Sequence, residues 1–326
     1  MRVAVVGAGA IGTWVGAALA RAGHDVVLLA RGAHFQAMRA GGVHVTGAET
    51  FSVRPDVTDD AAEVGPVDAV LLTVKAHDQA AAGAAAAPLL GPDTVVVAAQ
   101  NGIPWWYFHG LPAPYGGRRI EAADPGGAVS AAISPERALG LVVYMGASVP
   151  APGTVRVRPE AGLVIGEPSG APSGRLAAMA DALAGAGFPT RVSDDIRTDI
   201  WTKLMGNVSL NTISLLTRAG LGTMVRHEGV RPIVAAIMEE AVAVARALGA
   251  APDISIPDRL ALSERLGDHR TSSLQDLEAG KRVELDALSG AVVELAELTG
   301  TPVPTLRAVH ALADLAVHVA SCRSLR

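Results

Sequence analysis

The sequence predicts an α/β protein with a parallel β-sheet in its N-terminal part and only α-helices in its C-terminal part. In the first part, short and almost wholly apolar runs recur, as at residues 1–6, where Arg2 is the one charged residue. Strands covered on both faces by helices have this composition. After about Ser193 these runs end, and apolar residues recur at helical spacing instead. We therefore expect two domains, residues 1–193 and residues 194–326.

The positions of the individual strands and helices follow from the same two patterns, apolar runs and helical spacing. Candidate strands lie at residues 1–6, 26–30, 69–74, 94–98 and 141–144, with later, antiparallel candidates at 154–157 and 163–165. Candidate helices lie at residues 195–217, 230–248, 258–279, 283–298 and 305–319. Gly249, Gly280 and Gly300 stand just past three of these helices, where a left-handed residue is favoured. Residues 110–138 are rich in Gly, Pro and Ala and show no strong pattern, so we expect a surface excursion there. The aromatic run near the start of the longer stretch 103–139 is a candidate lining for a substrate entrance.

The charge and the cysteine count exclude several classes of protein. The net charge of −5 offers no general attraction to nucleic acids or to anionic membranes. Cys322 is the single cysteine, so no intramolecular disulfide and no cysteine cluster for a metal ion can form. The histidines form no HxxxH or HExxH pair, and the sequence carries no local signature of a zinc site. We expect a soluble cytoplasmic protein that binds no metal, no nucleic acid and no membrane.

A glycine-rich turn joins the first candidate strand to the helix that follows. Gly7, Gly9 and Gly12 have the spacing GxGxxG, which alone is weak evidence in a chain this rich in glycine and alanine. Here the motif ends a strand, opens a helix and precedes a second strand within about 30 residues, the length of one βαβ unit. In this context the three glycines permit, in order, a tight turn, the approach of a pyrophosphate and close packing of helix on strand. We therefore predict a Rossmann domain that binds a dinucleotide.

The residues after the second strand favour NADP over NAD. NAD-binding units usually place an acidic residue there, which holds the ribose 2′-hydroxyl. This chain has Ala30 and Arg31 there, and no acidic residue follows until Glu49. A guanidinium pairs bidentately with a 2′-phosphate. An ordinary surface arginine is the alternative, but the missing acid favours NADPH.

One predicted helix of the C-terminal part carries a row of polar residues. Lys203, Asn207 and Asn211 recur every four residues and therefore share one face. The helix is uncharged over residues 204–217, which makes it too apolar for a surface helix with a broad wet side. Asparagine is also a poor residue for the middle of a helix. A lysine whose stem covers apolar surface, beside two ordinary asparagines, is the alternative. We favour a cavity that the three side chains face.

A carboxylate and a hydroxyl form a second pair of candidates. Glu284 lies close to the predicted start of a helix, where the helix dipole favours the ionised form. In that form it would accept a hydrogen bond from a hydroxyl rather than donate a proton. Ser272 lies about 120° away on one continuous helix, so only a chain break at Gly280 could bring the two together. Taken alone, Glu284 is more commonly an ordinary acidic residue of a first helical turn.

These residues and their spacing resemble the ketopantoate reductases, also called 2-dehydropantoate 2-reductases. The resemblance runs in order over nearly the whole chain. It is most specific in the patterns WxKLxxNxxxN, which begins at Trp201, and SxLQDxxxxxxxExD, which begins at Ser272. The residues that carry it are Gly7, Gly9, Gly12, Arg31, Lys75, Asn101, Gly102, Lys203, Asn207, Asn211, Thr271, Ser272, Leu274, Gln275, Asp276, Glu284, Leu285 and Asp286.

The resemblance implies an NADPH-dependent reduction of a 2-oxo acid to a 2-hydroxy acid, with 2-dehydropantoate as the first candidate and pantothenate biosynthesis as the setting. It implies that Lys203 protonates the oxygen formed when hydride reaches the ketone carbon, and that Glu284 closes the site over cofactor and substrate. The implied substrate ligands are Asn207, Asn211, Thr271 and Ser272, with Ser272 near the substrate carboxylate. The implied cofactor contacts are Gly7, Ala8, Gly9, Ala10, Ile11, Gly12, Arg31, Lys75, Asn101, Ala147 and Glu284. Whether two copies of the chain form a homodimer is left open.

The chain also departs from the family pattern. Thr212 stands where a proline is common, Gly220-Leu221-Gly222 stands where an Asn-Gly-Glu segment is common, and the stretch 103–139 is longer. These differences leave open a relative that reduces another bulky 2-oxo acid. A catalytically silent NADPH-binding sensor is the alternative from a different class. The presence of Lys203 together with the predicted substrate ligands argues against it, because a sensor would need only the N-terminal part.

Overall fold

The structure is a computed structural model, and it describes residues 1–159 and 162–324. The chain divides into two compact units. The first unit consists of residues 1–100, 105–119 and 126–196, and the second consists of residues 101–104, 120–125 and the chain from residue 197 onward.

Every strand of the described residues lies in the first unit. The strands are β1 (Arg2–Val6), β2 (Asp25–Leu29), β3 (Val43–Gly47), β4 (Phe51–Val53), β5 (Asp56–Thr58), β6 (Val67–Leu72), β7 (Leu90–Ala98), β8 (Ala138–Val143), β9 (Ala147–Ala151), β10 (Thr154–Val157), β11 (Leu163–Gly166) and β12 (Thr190–Ser193). The helices of this unit are α1 (Ala10–Arg21), α2 (Gly32–Gly41), α3 (Gln79–Ala85), α4 (Ala128–Ala132) and α5 (Gly174–Gly185). All seven predicted strands are present within a few residues, whereas β3, β4, β5, β9 and β12 were not predicted.

Eight of the strands form one sheet, in the order β12-β11-β8-β7-β6-β1-β2-β5. All neighbours in it are parallel except β8 and β11, which are antiparallel. From β5 to β8 the strands follow the doubly wound order 3-2-1-4-5-6, in which the winding changes direction between the first and fourth strands, here β1 and β6. Ligands of such sheets bind at the carboxyl ends of the strands at this point. The predicted α/β class with its Rossmann-type sheet is confirmed.

A smaller sheet has the order β4-β3-β10-β9. In it β10 is antiparallel to β9 and parallel to β3, and in the large sheet β11 is antiparallel to β8 and parallel to β12. The two later strands that we expected to be antiparallel therefore have one antiparallel and one parallel neighbour each.

Small residues allow α1 to pack closely against the large sheet. A Cβ atom on Gly16 would lie 2.5 Å from Leu28 Cδ2 and 3.0 Å from Val5 Cγ2, so a larger residue there would push the helix away from the strands. Trp14 of the same helix is buried and packs edge-on against Phe188. The position of α1, and with it the turn at its N-terminus, is thus fixed by the core.

The aromatic run within residues 103–139, a candidate lining for a substrate entrance, is buried rather than exposed. Trp105, Trp106, Tyr107 and Phe108 are buried, each with 4% or less of its surface exposed. The Trp106 ring packs where Gly140 leaves room on β8, since a Cβ there would lie 2.8 Å from Trp106 Cζ2. Four consecutive aromatic side chains carry more apolar surface than a solvated loop can leave in water, and they form part of the core of the first unit instead.

The regular secondary structure of the second unit is all helical in the described residues. Its helices are α6 (Ile196–Thr217), α7 (Leu221–Arg226), α8 (Arg231–Ala247), α9 (Ile256–Arg265), α10 (Ser272–Glu278), α11 (Ala291–Thr299) and α12 (Pro304–Ser324). A π-helix, Asp286–Gly290, directly precedes α11. The first residue of α6 is assigned to the first unit.

Two predicted helices differ from the structure. The single helix expected at 258–279 is broken into α9 and α10, and Gly267 between them has a left-handed backbone with φ of +63°. The helix expected at 283–298 opens with the π-helix instead of regular α-helix. The predicted helix ends are confirmed at Gly249, Gly280 and Gly300, whose φ angles are +86°, +65° and +68°.

The uncharged helix α6 is buried along most of its length. Most of its apolar side chains, such as Trp201 and Met205, are buried, whereas Leu216 near its end is exposed. Its hydroxyl groups bond to the helix itself: Ser209 Oγ donates to the Met205 carbonyl at 3.0 Å, and Thr212 Oγ1 donates to the Val208 carbonyl at 2.7 Å. These bonds satisfy polar groups that would be costly to bury alone. No helix in the described part of the chain combines the length and apolar character needed to cross a membrane.

Candidate active site

The glycine turn is packed tightly against the end of β6. Gly7 has a φ of +101°, and a Cβ atom there would lie 2.5 Å from Val74 Cγ1. A Cβ on Gly12 would lie 2.3 Å from Thr73 Oγ1, which itself donates a hydrogen bond to the Gly7 carbonyl at 2.8 Å. The turn therefore lies at the carboxyl ends of β1 and β6, where the winding of the sheet changes direction.

The middle glycine of the turn faces open space. A Cβ atom on Gly9 would meet no atom within 4 Å, so the absence of a side chain leaves room for a ligand rather than for protein. Gly9 is the N-cap of α1 and provides no side-chain cap for the first turn of the helix. An uncapped helix N-terminus with room in front of it suits a pyrophosphate, because its N–H groups and the helix dipole both favour negative charge. The turn fits a dinucleotide.

The other predicted cofactor contacts of the first unit lie at the ends of strands. Arg31 is the exposed N-cap of α2, directly after the end of β2. Lys75 follows β6 and is half-buried, with its Nζ atom enclosed by protein. Ala147 is the first residue of β9 and pairs with Val157 in the smaller sheet.

In the second unit, the Lys203 ammonium donates a hydrogen bond to Asn101 Oδ1 at 2.7 Å. Asn101 lies on a short segment held against the π-helix, where the Ile103 N–H donates to the Ala287 carbonyl at 3.1 Å. Gly102, with φ of +86°, is required for this approach, because a Cβ atom there would lie 2.1 Å from the same carbonyl oxygen. The two polar side chains are separated by 102 residues in sequence and brought together by this backbone contact.

The surroundings of Lys203 favour release of its proton. Burial lowers the pKa of the ammonium from its ordinary value of 10.5 to about 8, because an enclosed site disfavours the charged form. The Glu284 carboxylate raises this pKa, and the Arg259 guanidinium lowers it. A lysine in this environment is still largely protonated near neutral pH, yet its proton is much easier to transfer than that of an exposed lysine.

Glu284 and Asn207 are two further predicted site residues, and both are half-buried. Glu284 directly precedes the helical turn that begins at Leu285, as the sequence predicted, and is half-buried. Asn207 lies one turn beyond Lys203 on α6 and is also half-buried. Both side chains keep part of their surface available to a ligand.

The remaining predicted substrate ligands divide into buried and exposed groups. Asn211 is buried, and its Nδ2 donates to Ser273 Oγ at 3.2 Å. Thr271 is the buried N-cap of α10: its Oγ1 accepts from the Leu274 N–H at 3.1 Å and lies 2.6 Å from Ser214 Oγ. Ser272 is exposed. In this structure Asn211 and Thr271 therefore belong to buried hydrogen-bonded groups, whereas Ser272 lies at the surface.

The sequence matches one protein family along both units. Residues 3–105 match the profile of the family Ketopantoate reductase PanE/ApbA, and residues 195–316 match Ketopantoate reductase PanE/ApbA C terminal. The 2-dehydropantoate 2-reductase of Mesorhizobium japonicum is 44% identical over 314 residues, which cover 96% of each chain. This chain belongs to the ketopantoate reductase family. It is accordingly an oxidoreductase with a dehydrogenase domain of the Rossmann type.

Solved structures of the ketopantoate reductase family extend this likeness to three dimensions. A protein from Ralstonia solanacearum MolK2 that is assigned as a ketopantoate reductase superposes with a TM-score of 0.92 at 38% identity, covering 98% of both chains. The PanE/ApbA family ketopantoate reductase from Ralstonia eutropha JMP134 superposes with a TM-score of 0.84 at 33% identity, covering 98% of this chain and 99% of its own. The shared fold therefore includes nearly the whole chain.

In this member of the ketopantoate reductase family, sequence reasoning missed two features near the lysine. It assigned Asn101 to the cofactor alone, whereas the structure places that amide on Lys203. It did not select Arg259, whose charge acts on Lys203. The one available signal was Gly206, an isolated glycine inside a strong helical pattern, which often marks close packing by another group.

Proposed function

We propose that the protein reduces 2-dehydropantoate to pantoate with NADPH as the hydride donor. The observation that carries this proposal is the half-buried Lys203, hydrogen-bonded to Asn101 and with a pKa of about 8, in a chain of the ketopantoate reductase family. Relatives named 2-dehydropantoate 2-reductase support the choice of substrate, among them the protein of Mesorhizobium japonicum. We also propose that residues 1–193 bind the cofactor, that residues 194–326 bind the substrate, and that the enzyme works in the cytoplasm.

The first unit would hold the dinucleotide by its phosphates. The backbone of residues 7–12 and the N-terminus of α1 would bind the pyrophosphate, and the open space at Gly9 supports this assignment. The Arg31 guanidinium would bind the 2′-phosphate, which supports NADPH over NADH. Lys75 and Ala147 of this unit would make further contacts. Asn101 and Glu284, which belong to the second unit, remain proposed cofactor contacts as well. When bound, NADPH supplies a hydride to the carbonyl carbon of the substrate.

Lys203 would supply the proton that completes the reduction. As the carbonyl carbon accepts hydride, negative charge develops on the carbonyl oxygen, and the ammonium transfers a proton to that oxygen. The Asn101 amide oxygen accepts a hydrogen bond from Nζ and so restricts the direction in which the ammonium points. The neutral amine left behind would be tolerated in an enclosed site, because burial already favours the uncharged form.

The substrate would be held by groups around this lysine. Asn207 and Ser272 are the predicted ligands with exposed surface, and Glu284 would accept a hydrogen bond from a substrate hydroxyl. Asn211 and Thr271 remain proposed ligands, although each has a hydrogen-bond partner within the protein. Substrate would therefore have to share or replace those partners.

A second candidate function is the reduction of another bulky 2-oxo acid. Thr212 and Gly220-Leu221-Gly222 favour this candidate, because they depart from the family pattern within residues 194–326, the part of the chain proposed to bind substrate. A silent NADPH-binding sensor would not need the lysine at all.

The test is NADPH oxidation by the purified protein against a panel of 2-oxo acids that includes 2-dehydropantoate. We expect the highest kcat/KM with 2-dehydropantoate, and pantoate as the product. A higher kcat/KM with a different 2-oxo acid would select the second candidate. Tight NADPH binding without turnover of any member of the panel would refute both and leave the sensor.

A further inference from the structure

An arginine from a neighbouring helix lies against the backbone of α6, close to Lys203. Arg259 belongs to α9, and its Nε atom is enclosed by protein. A Cβ atom on Gly206 would lie 2.1 Å from Arg259 Nη2 and 2.3 Å from Nε. The guanidinium therefore occupies the space that a side chain at residue 206 would fill. Any residue other than glycine there would displace it.

The space at Gly206 that the Arg259 guanidinium fills lies close to Lys203. Gly206 lies three residues after Lys203, and residues at this spacing are neighbours on the surface of a helix, so the guanidinium is placed on the side of α6 next to the lysine. Its charge acts on the Lys203 ammonium, as does the charge of Glu284. Glycine weakens the interior of a helix, so its presence in the middle of α6 has a cost that the close approach of Arg259 explains.

A cationic group at this place suits a 2-oxo acid, because the Ser272 hydroxyl that the family resemblance places near the substrate carboxylate carries no charge. The carboxylate of a 2-oxo acid is bonded directly to the carbonyl carbon, so the residue that holds the carboxylate must lie next to the residue that protonates the carbonyl oxygen. Lys203 is already committed to the proton transfer, and Asn207 and Ser272 are neutral. A guanidinium matches a carboxylate in charge and in shape, since it can donate two parallel hydrogen bonds.

We propose that Arg259 binds the carboxylate of the substrate, and that Gly206 provides the space in which its guanidinium is held for this purpose. The proposal rests on the proposed function, because it concerns the recognition of a 2-oxo acid at the same site. It assigns specificity for the acid, rather than for the rest of the substrate, to one residue. A 2-oxo amide or ester, which lacks the charge, would lose this interaction.

Two other roles for Arg259 make different predictions. A purely structural arginine would affect acidic and neutral substrates equally. An arginine that acts only by adjusting the proton affinity of Lys203 would change kcat for both kinds of substrate. Carboxylate binding changes KM for the acid alone.

The experiment compares 2-dehydropantoate with its primary amide in four variants. Arg259→Met removes the charge, Arg259→Lys keeps a charge without the bidentate geometry, and Gly206→Ala displaces the guanidinium. Arg265→Met is the matched control, because Arg265 is an exposed arginine on the same helix. Circular dichroism and NADPH affinity establish that each variant is folded.

We expect Arg259→Met to raise KM for the acid by about 10- to 100-fold, the usual effect of losing a charge-assisted hydrogen-bonded pair, and to leave KM for the amide unchanged. Arg259→Lys should recover part of the loss, Gly206→Ala should raise KM for the acid alone, and Arg265→Met should match the wild type. Equal changes for acid and amide, or no change for the acid, would overturn the proposal.

A binding measurement separates this proposal from the proposed function. Calorimetry would measure the affinity of the NADP⁺-loaded protein for pantoate, with wild type and Arg259→Met. If the wild type reduces no 2-oxo acid, the proposed reaction fails, yet pantoate binding that Arg259→Met weakens would still support the carboxylate site. Pantoate binding that is absent in the wild type, or equal in the two proteins, would overturn it whatever the activity.

Discussion

The titration of Lys203 provides a quantitative test of the proton transfer. Burial lowers the pKa of its ammonium from 10.5 to about 8, while the Glu284 carboxylate raises it. A proton donor must be protonated when substrate binds, so kcat/KM should fall as the pH rises through this pKa. Glu284→Gln removes a negative charge that favours the ammonium. The substitution should therefore lower the pKa of Lys203 further and move the alkaline limb of the profile to lower pH.

The size of the effect follows from the position of the pKa. With a pKa of about 8, the protonated fraction falls from about 0.9 at pH 7 to about 0.1 at pH 9, a roughly tenfold loss of kcat/KM. With the ordinary value of 10.5, the same change of pH would leave the ammonium almost fully protonated and the rate nearly constant. The assay is the initial rate of NADPH oxidation with 2-dehydropantoate over about pH 6 to 10, for wild type and Glu284→Gln.

A control ensures that the limb reports the chemical step. NADPH that carries deuterium at the transferred position should give a constant isotope effect across the limb if hydride transfer stays rate-limiting. A wild-type limb near the ordinary lysine value, or a limb that moves to higher pH in Glu284→Gln, would refute the assignment of Lys203 as the proton donor. A lower rate with an unmoved limb would show that Glu284 acts on substrate without acting on the lysine.

Three further predictions concern the cofactor and the core. Arg31→Ala should reduce the preference for NADPH over NADH by about 10- to 100-fold in direct binding, through loss of the pair with the 2′-phosphate, and an equal loss for both cofactors would contradict that pairing. Gly9→Ala should weaken NADPH binding without lowering the midpoint of thermal unfolding, because the added Cβ meets open space rather than protein. An unchanged affinity for NADPH would mean that the pyrophosphate binds elsewhere. Trp106→Ala should reduce the free energy of unfolding by about 3–5 kcal/mol, since the ring is buried, and should leave the ratio of KM values between substrates unchanged. A stable Trp106→Ala variant with altered substrate preference would restore the entrance lining that the structure argues against.

The sequence was most informative where one local pattern determines one element. Strands buried on both faces are apolar throughout, so β1, β2, β6, β7 and β8 could be recognised without knowledge of their partners. In contrast, β9 is largely exposed, and its residues carry no such run. The break between α9 and α10 falls inside a pattern that is helical on both sides, and a single glycine there is compatible with either outcome.

In the candidate site too, local patterns predicted the positions of some residues but not the contacts between distant segments. Helical spacing was enough to place Lys203 and Asn207 on one face of α6, because both lie on one element. The bond between Lys203 and Asn101 joins residues that are 102 positions apart, and it depends on the backbone contact of Gly102 with the π-helix. The packing of Arg259 on Gly206 likewise joins two helices. Contacts of this kind arise from tertiary packing, which a single sequence does not display.

The most direct test of the proposed reaction is the rate of hydride transfer in a single turnover by NADPH-saturated Lys203→Ala, with 2-dehydropantoate as substrate. Lys281→Ala is the matched control, because Lys281 is an exposed lysine of the same unit. We expect Lys203→Ala to bind NADPH as the wild type does and to transfer hydride about 10²- to 10⁴-fold more slowly, the usual contribution of general acid catalysis, while Lys281→Ala remains unchanged. A folded Lys203→Ala variant with a rate near that of the wild type would contradict the proposed role of the lysine.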